Sequence, residues 1–124
     1  MKSLITILIT LMLTSTTAVA VDSDGNYAVW GLGKKSCFGF NQAVAANEGF
    51  DKYKHYIKGF ITSYNMFTEK TYSISANMNE TQIIDWLNEY CVDNPMFGLE
   101  TALLNFTVDH YEKRMRSSGT SAGR

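Results

Sequence analysis

The sequence is poor in the residues from which metal sites and redox pairs are built. Its 124 residues hold two cysteines, Cys37 and Cys91, and two histidines, His55 and His110. The cysteines are far apart, so the close C-x-x-C spacing of zinc and thiol-exchange motifs is missing. The histidines belong to different expected helices with no third ligand in view, and they read as surface or rim positions. Neither a metal nor a cofactor is called for. An excess of positive charge is lacking too, with 11 Lys and Arg against 12 Asp and Glu. Nucleic acid and anionic membranes both require a basic footprint, so neither is expected as a partner. There is no internal repeat.

Catalytic motifs are also missing. Ser63, Ser73 and Ser75 lack the G-x-S-x-G elbow that exposes a nucleophile. Gly33-Lys34-Lys35-Ser36 looks like the end of a phosphate-binding loop. That motif needs glycine five positions earlier and Ser or Thr directly after the lysine, and Ala28 and Lys35 stand there instead. Asp85 and Glu89 lie one helical turn apart, where burial could drive two carboxylates into acid and base roles. Nothing apolar surrounds them on that face, so they read as a solvated surface facing Lys54 and Lys58. The chain does not read as an enzyme.

What is present begins with export. Lys2, the apolar run Leu4 to Leu13 and Ala18-Val19-Ala20 follow the order of a secretory signal. The run is well short of the roughly 20 residues a bilayer span needs. Residues 1–20 are therefore expected to be a cleaved leader, with the mature protein soluble and periplasmic or secreted. Without Lys2, ten basic residues face twelve acidic ones, a net charge of −2. Both cysteines fall in the mature part. An even pair in an oxidising compartment predicts a Cys37–Cys91 disulfide.

Patterning predicts an all-α fold, a small four-helix domain with one disulfide. Residues 21–35 read as an irregular arm that packs Tyr27 and Trp30 on the core, residues 36–115 as the helical domain, and 116–124 as a disordered tail. The first helix runs from an N-cap at Ser36 to about Ala46. Asp51 caps the second, whose apolar stripe is Tyr53, Tyr56, Ile57, Phe60, Ile61 and Tyr64. Gly59 sits in mid-helix at a cost of about 1 kcal/mol, which suggests that another helix crosses there. A polar loop, Asn65 to Met78, follows. Asn79 opens the third helix with Gln82 completing a capping box. Ile83, Ile84, Leu87, Tyr90 and Cys91 form its inner face, and Asn94-Pro95 stops it. The fourth helix extends to about Arg114, with Phe97, Leu103, Leu104, Val108 and Tyr111 as buried candidates.

Aromatics are the distinctive part of the composition, at 13 per cent. Tyr and Trp concentrate at interfaces, and Trp86, Tyr64, Phe67 and Tyr72 are the candidates for a protein-binding surface. Cys37-Phe38, Tyr56-Ile57-Lys58-Gly59-Phe60, Trp86 to Cys91, Ala102-Leu103-Leu104 and Lys113-Arg114 together carry a family likeness. Over Cys37 to Arg114 the chain resembles small exported bacterial proteins of the HdeA/HdeB type. The likeness implies a disulfide-linked helical bundle acting as an acid-activated, ATP-independent periplasmic holdase chaperone. The chain is also similar to exported immunity proteins of the Tai/Rap type, which neutralise cell-wall amidase toxins. Both imply a protein partner, an unfolded client or one specific enzyme, and leave room for a homodimer.

Overall fold

The computed structural model describes residues 21–119, so the expected leader and the end of the expected tail lie outside the described residues. Four helices follow a short 3-10 turn at Gly31–Lys34: α1 (Cys37–Ala46), α2 (Phe50–Phe67), α3 (Glu80–Asp93) and α4 (Leu99–His110). Among the described residues there is no strand, only isolated bridges at Ser36–Gly98 and Ser73–Met115.

Local chemistry sets most of the helix ends. Ser36 caps α1, its hydroxyl accepting from the Gly39 amide at 3.2 Å. Asn47 then closes that helix in the left-handed conformation that asparagine tolerates. Asn79 and Gln82 form the expected reciprocal capping box at the start of α3, with bonds of 2.9 and 3.0 Å. The Asn94 amide bonds back to the Tyr90 carbonyl as α3 ends before Pro95.

The core is built where α1, α3 and α4 meet. Phe40, Leu87, Leu99, Leu103 and Phe106 are fully buried there, with Ile74 reaching in from the loop between α2 and α3. The Asn65 side chain holds that loop by accepting the Ile74 amide at 2.8 Å. Cys37 and Cys91 are also fully buried and form the predicted disulfide, which staples α1 to α3. α2 lies against α1 and the 3-10 turn, and its deepest residues are Tyr53 and Ile57.

Several expectations are corrected. The cap of α2 is Gly49, and Asp51 lies inside the first turn, where it pairs with Lys54 at 2.8 Å. The helix runs one turn further, to Phe67, so Asn65 belongs to it and not to the loop. Phe60 is only half-buried, and the stripe is centred on Ile57. No helix crosses at Gly59, whose absent side chain would meet nothing within 4 Å. α4 starts at Leu99, after the Pro95–Gly98 turn, and ends at His110. Its buried face is Leu99, Ala102, Leu103, Phe106 and Thr107, so Leu104 and Val108 face outward and Phe97 and Tyr111 are exposed. Arg114 does not extend the helix. It folds back, donating to the Thr71 hydroxyl at 3.0 Å and stacking over the Tyr111 ring at 3.7 Å.

The arm also differs. Tyr27 and Trp30 are exposed, and Trp30 lies near the Lys34 ammonium at 6.0 Å. The arm touches the core through Leu32 and Gly33 instead. A Cβ on Gly33 would collide with the Tyr56 hydroxyl and the Val29 side chain, so glycine is required by the close approach.

Candidate protein-binding surface

The four aromatic candidates divide into two environments. Trp86 is half-buried between α3 and α4, where it stacks on Tyr90 at 5.5 Å and meets Phe106 edge-on at 5.3 Å. His110 closes this ring cluster. It stacks on Phe106 at 4.1 Å, and its Nδ1 lies 2.8 Å from the Phe106 carbonyl oxygen. Such offset and edge-on pairs add about 0.5–1.5 kcal/mol each beyond burial, so the cluster seals the α3–α4 seam. Tyr64 is half-buried against the core.

Phe67 and Tyr72 are turned outward. Phe67, the last residue of α2, is 85% exposed, and its neighbour Met66 is also exposed. Tyr72 stands on the following loop, fixed by its amide, which donates to the Met115 carbonyl at 2.8 Å. The end of α2 and the loop after it thus carry three exposed large side chains, Met66, Phe67 and Tyr72. Exposed residues of this size are expensive to leave in water, at about 25 cal/mol per Å².

A second apolar face was not legible as such in the sequence. Phe38, Val92, Met96 and Phe97 are all exposed, and all stand within one or a few residues of the disulfide or of the turn after α3. Two backbone bonds hold this end rigid: the Cys37 amide to the Phe97 carbonyl at 2.7 Å, and the Phe38 amide to the Pro95 carbonyl at 2.9 Å. The signal was the pair Met96-Phe97 directly after a helix stop, in a turn too short to fold over them.

Most charged groups are solvated; Arg114 is buried, and Glu100 has one buried carboxylate oxygen. Lys54 and Lys58 pair with Asp51 and Glu80, at 2.8 and 2.9 Å, and not with Asp85 and Glu89 as the helix spacing suggested. Hydrogen bonding from these lysines holds the Asp51 and Glu80 carboxyls below their ordinary values. Burial raises the Tyr53 hydroxyl above its ordinary value. It does the same for Tyr56, helped by the Glu100 carboxylate and opposed by the Gly33 amide. Among the described residues, no three His, Cys, Asp or Glu side chains come together in a group able to hold a metal ion.

The clefts are shallow. The one beside Gly59, about 480 Å³, is lined by His55, Tyr56, Phe60 and Ser63. It offers no nucleophile held by a base, because His55 and Ser63 make no hydrogen bond to one another. Comparison of this chain with protein-family models, with curated proteins and with solved structures finds no match. No described helix is long and apolar enough to cross a membrane.

Proposed function

We propose that this is an exported protein-binding protein that engages one protein partner in its native, folded state. The observation that carries this reading is the outward placement of Met66, Phe67 and Tyr72 at the end of α2 and on the loop after it. Large aromatic side chains at the surface are the usual anchors of protein interfaces. Here they are presented without any unfolding step. The reading agrees with the likeness to exported immunity proteins, which act by binding one toxin.

A second reading, the acid-activated holdase, draws on the ion pairs. The Lys58–Glu80 pair ties α2 to the start of α3, and protonation of Glu80 in acid would release it. The fully buried core is apolar and disulfide-stapled, and both ion pairs lie at the surface, where they contribute little. This favours the folded binder.

Light scattering of an acid-unfolding client separates the two. A folded binder leaves client aggregation unchanged at pH 2–3 even in several-fold excess. Suppression at pH 2–3, with none at pH 7, would replace the reading with the holdase.

A further inference from the structure

We propose that Arg114 is a binding site for a carboxylate, an Asp or Glu side chain on the surface of the protein partner, beside Tyr72. The proposal rests on the partner-binding reading and adds the chemistry of the partner. Arg114 is only 7% exposed, yet it has no ion pair among the described residues, whose pairs are Lys54–Asp51 and Lys58–Glu80. A buried cation is ordinarily matched by an anion. Here the guanidinium is satisfied only in part. Nε donates to the Thr71 hydroxyl at 3.0 Å and Nη1 to the Tyr111 carbonyl, and Nη2 has no acceptor among the described residues. Nor is Nη2 enclosed, since the enclosed polar atoms without a partner are Asn41 Oδ1 and Glu100 Oε2. An N–H edge therefore opens outward from a side chain that is otherwise held in place.

The surroundings suit an acidic side chain flanked by apolar ones. The guanidinium lies over the Tyr111 ring at 3.7 Å, which fixes its plane. The next residue, Met115, accepts the Tyr72 amide at 2.8 Å and exchanges bonds of 2.9 and 3.1 Å with Ser73. Tyr72 is thus held next to Arg114 in the fold, and it and Tyr111 are 54% and 38% exposed. An arginine already stacked and bonded loses little freedom when a carboxylate arrives. The two bonded segments, 66–76 and 111–118, carry Lys70, Lys113, Arg114 and Arg116 against Glu69 and Glu112. This is a basic balance on a chain that is acidic as a whole. Lys70, Lys113 and Arg116 are exposed and steer an acidic partner inward. Arg114 supplies the fixed, charge-assisted bond.

Two blocked dipeptides test this, N-acetyl-Asp-Phe-amide and its neutral match N-acetyl-Asn-Phe-amide. Each is titrated at pH 7 into nitrogen-15-labelled protein recovered from an oxidising compartment. Nuclear magnetic resonance follows the Arg114 Nε–H signal and the Tyr72 amide. The Asp peptide should shift both signals and bind roughly tenfold or more tightly than the Asn peptide, with the difference shrinking in about 1 M salt. Arg114→Gln should remove the preference for Asp, and unchanged near-ultraviolet circular dichroism would show its fold intact. Equal binding of the two peptides to the wild type overturns the proposal, while shifts at Tyr72 would leave the folded-binder reading standing. A preference for Asp that survives in Arg114→Gln also overturns it, because another cation would then hold the carboxylate. So does a wild type in which neither peptide moves the Arg114 signal. The folded-binder reading has its own separate check in client light scattering.

Discussion

Two glycines show how the same residue type can be costly at one position and required at another. Gly59 lies in the middle of α2 with open space where a Cβ would be, so its helix penalty brings no packing return. Gly59→Ala should therefore stabilise the protein by up to about 1 kcal/mol, raising the melting temperature by roughly 4–8 °C. Gly33→Ala should do the opposite, costing about 1–3 kcal/mol through overpacking, because its Cβ runs into Tyr56 and Val29. Thermal melts of the two variants check both signs, and a destabilised Gly59→Ala would mean that something packs on that face. Neither case was legible in the sequence. A glycine's neighbours are set by tertiary packing, and Gly59 invited a crossing helix that does not exist. Two of the three expected caps were the opposite case, Asp51 being the exception, because Ser36 and the Asn79–Gln82 box act through bonds three residues long. Such local chemistry is written in the sequence.

Among the helices, legibility followed the clarity of the stripe. α3 has one apolar face, and Ile83, Ile84, Leu87 and Cys91 are buried as their spacing required. α4 offers two: Leu99, Ala102, Leu103 and Phe106 compete with Leu104, Val108 and Tyr111. Only the packing of α4 on α3 and α1 decides between them, and it chooses the first. The same limit applies to the aromatic candidates, of which spacing could nominate four but could not say which two point outward. The pH response also belongs to the helices. The lowered Asp51 and Glu80 carboxyls contribute stability that is present above the ordinary carboxylate range near pH 4 and is lost as pH falls through their lowered values. Both are solvent-exposed, so the loss should be small. The raised Tyr53 and Tyr56 hydroxyls act at the other end. Their contribution is complete below about pH 10 and disappears as pH rises through the folded-state values. Stability should thus fall at both ends, in alkali as Tyr53 and Tyr56 ionise and in acid as Asp51 and Glu80 are protonated. Ultraviolet titration of tyrosinate checks the cause, since Tyr53→Phe and Tyr56→Phe should each remove a late-ionising group. If neither changes the alkaline end of the curve, the burial account fails.

At the scale of the whole molecule, the disulfide joins the first and third helices across 54 residues of chain. A closed loop of that length restricts the unfolded state enough to stabilise the fold by about 4 kcal/mol, a large share of the roughly 5–15 kcal/mol typical of a domain. Cys37→Ala with Cys91→Ala should lower the unfolding free energy in urea by about that amount. A loss below about 1 kcal/mol would show that the apolar core holds α1 and α3 together unaided. The bridge also explains how so small a core can leave large apolar side chains outside. With the fold pinned, Phe67 and Tyr72 after α2 and Met96 and Phe97 after α3 stay exposed.

If the proposed binding surface belongs to the native fold, it needs no acid to appear. Fluorescence of an apolar dye, followed from pH 7 down to pH 2.5 with wild type and Phe67→Ser side by side, tests this most directly. The expected result is dye binding already at pH 7, weakened by Phe67→Ser, with only a modest change on acidification. No binding at pH 7 followed by a steep rise in acid, equal in both proteins, would contradict it.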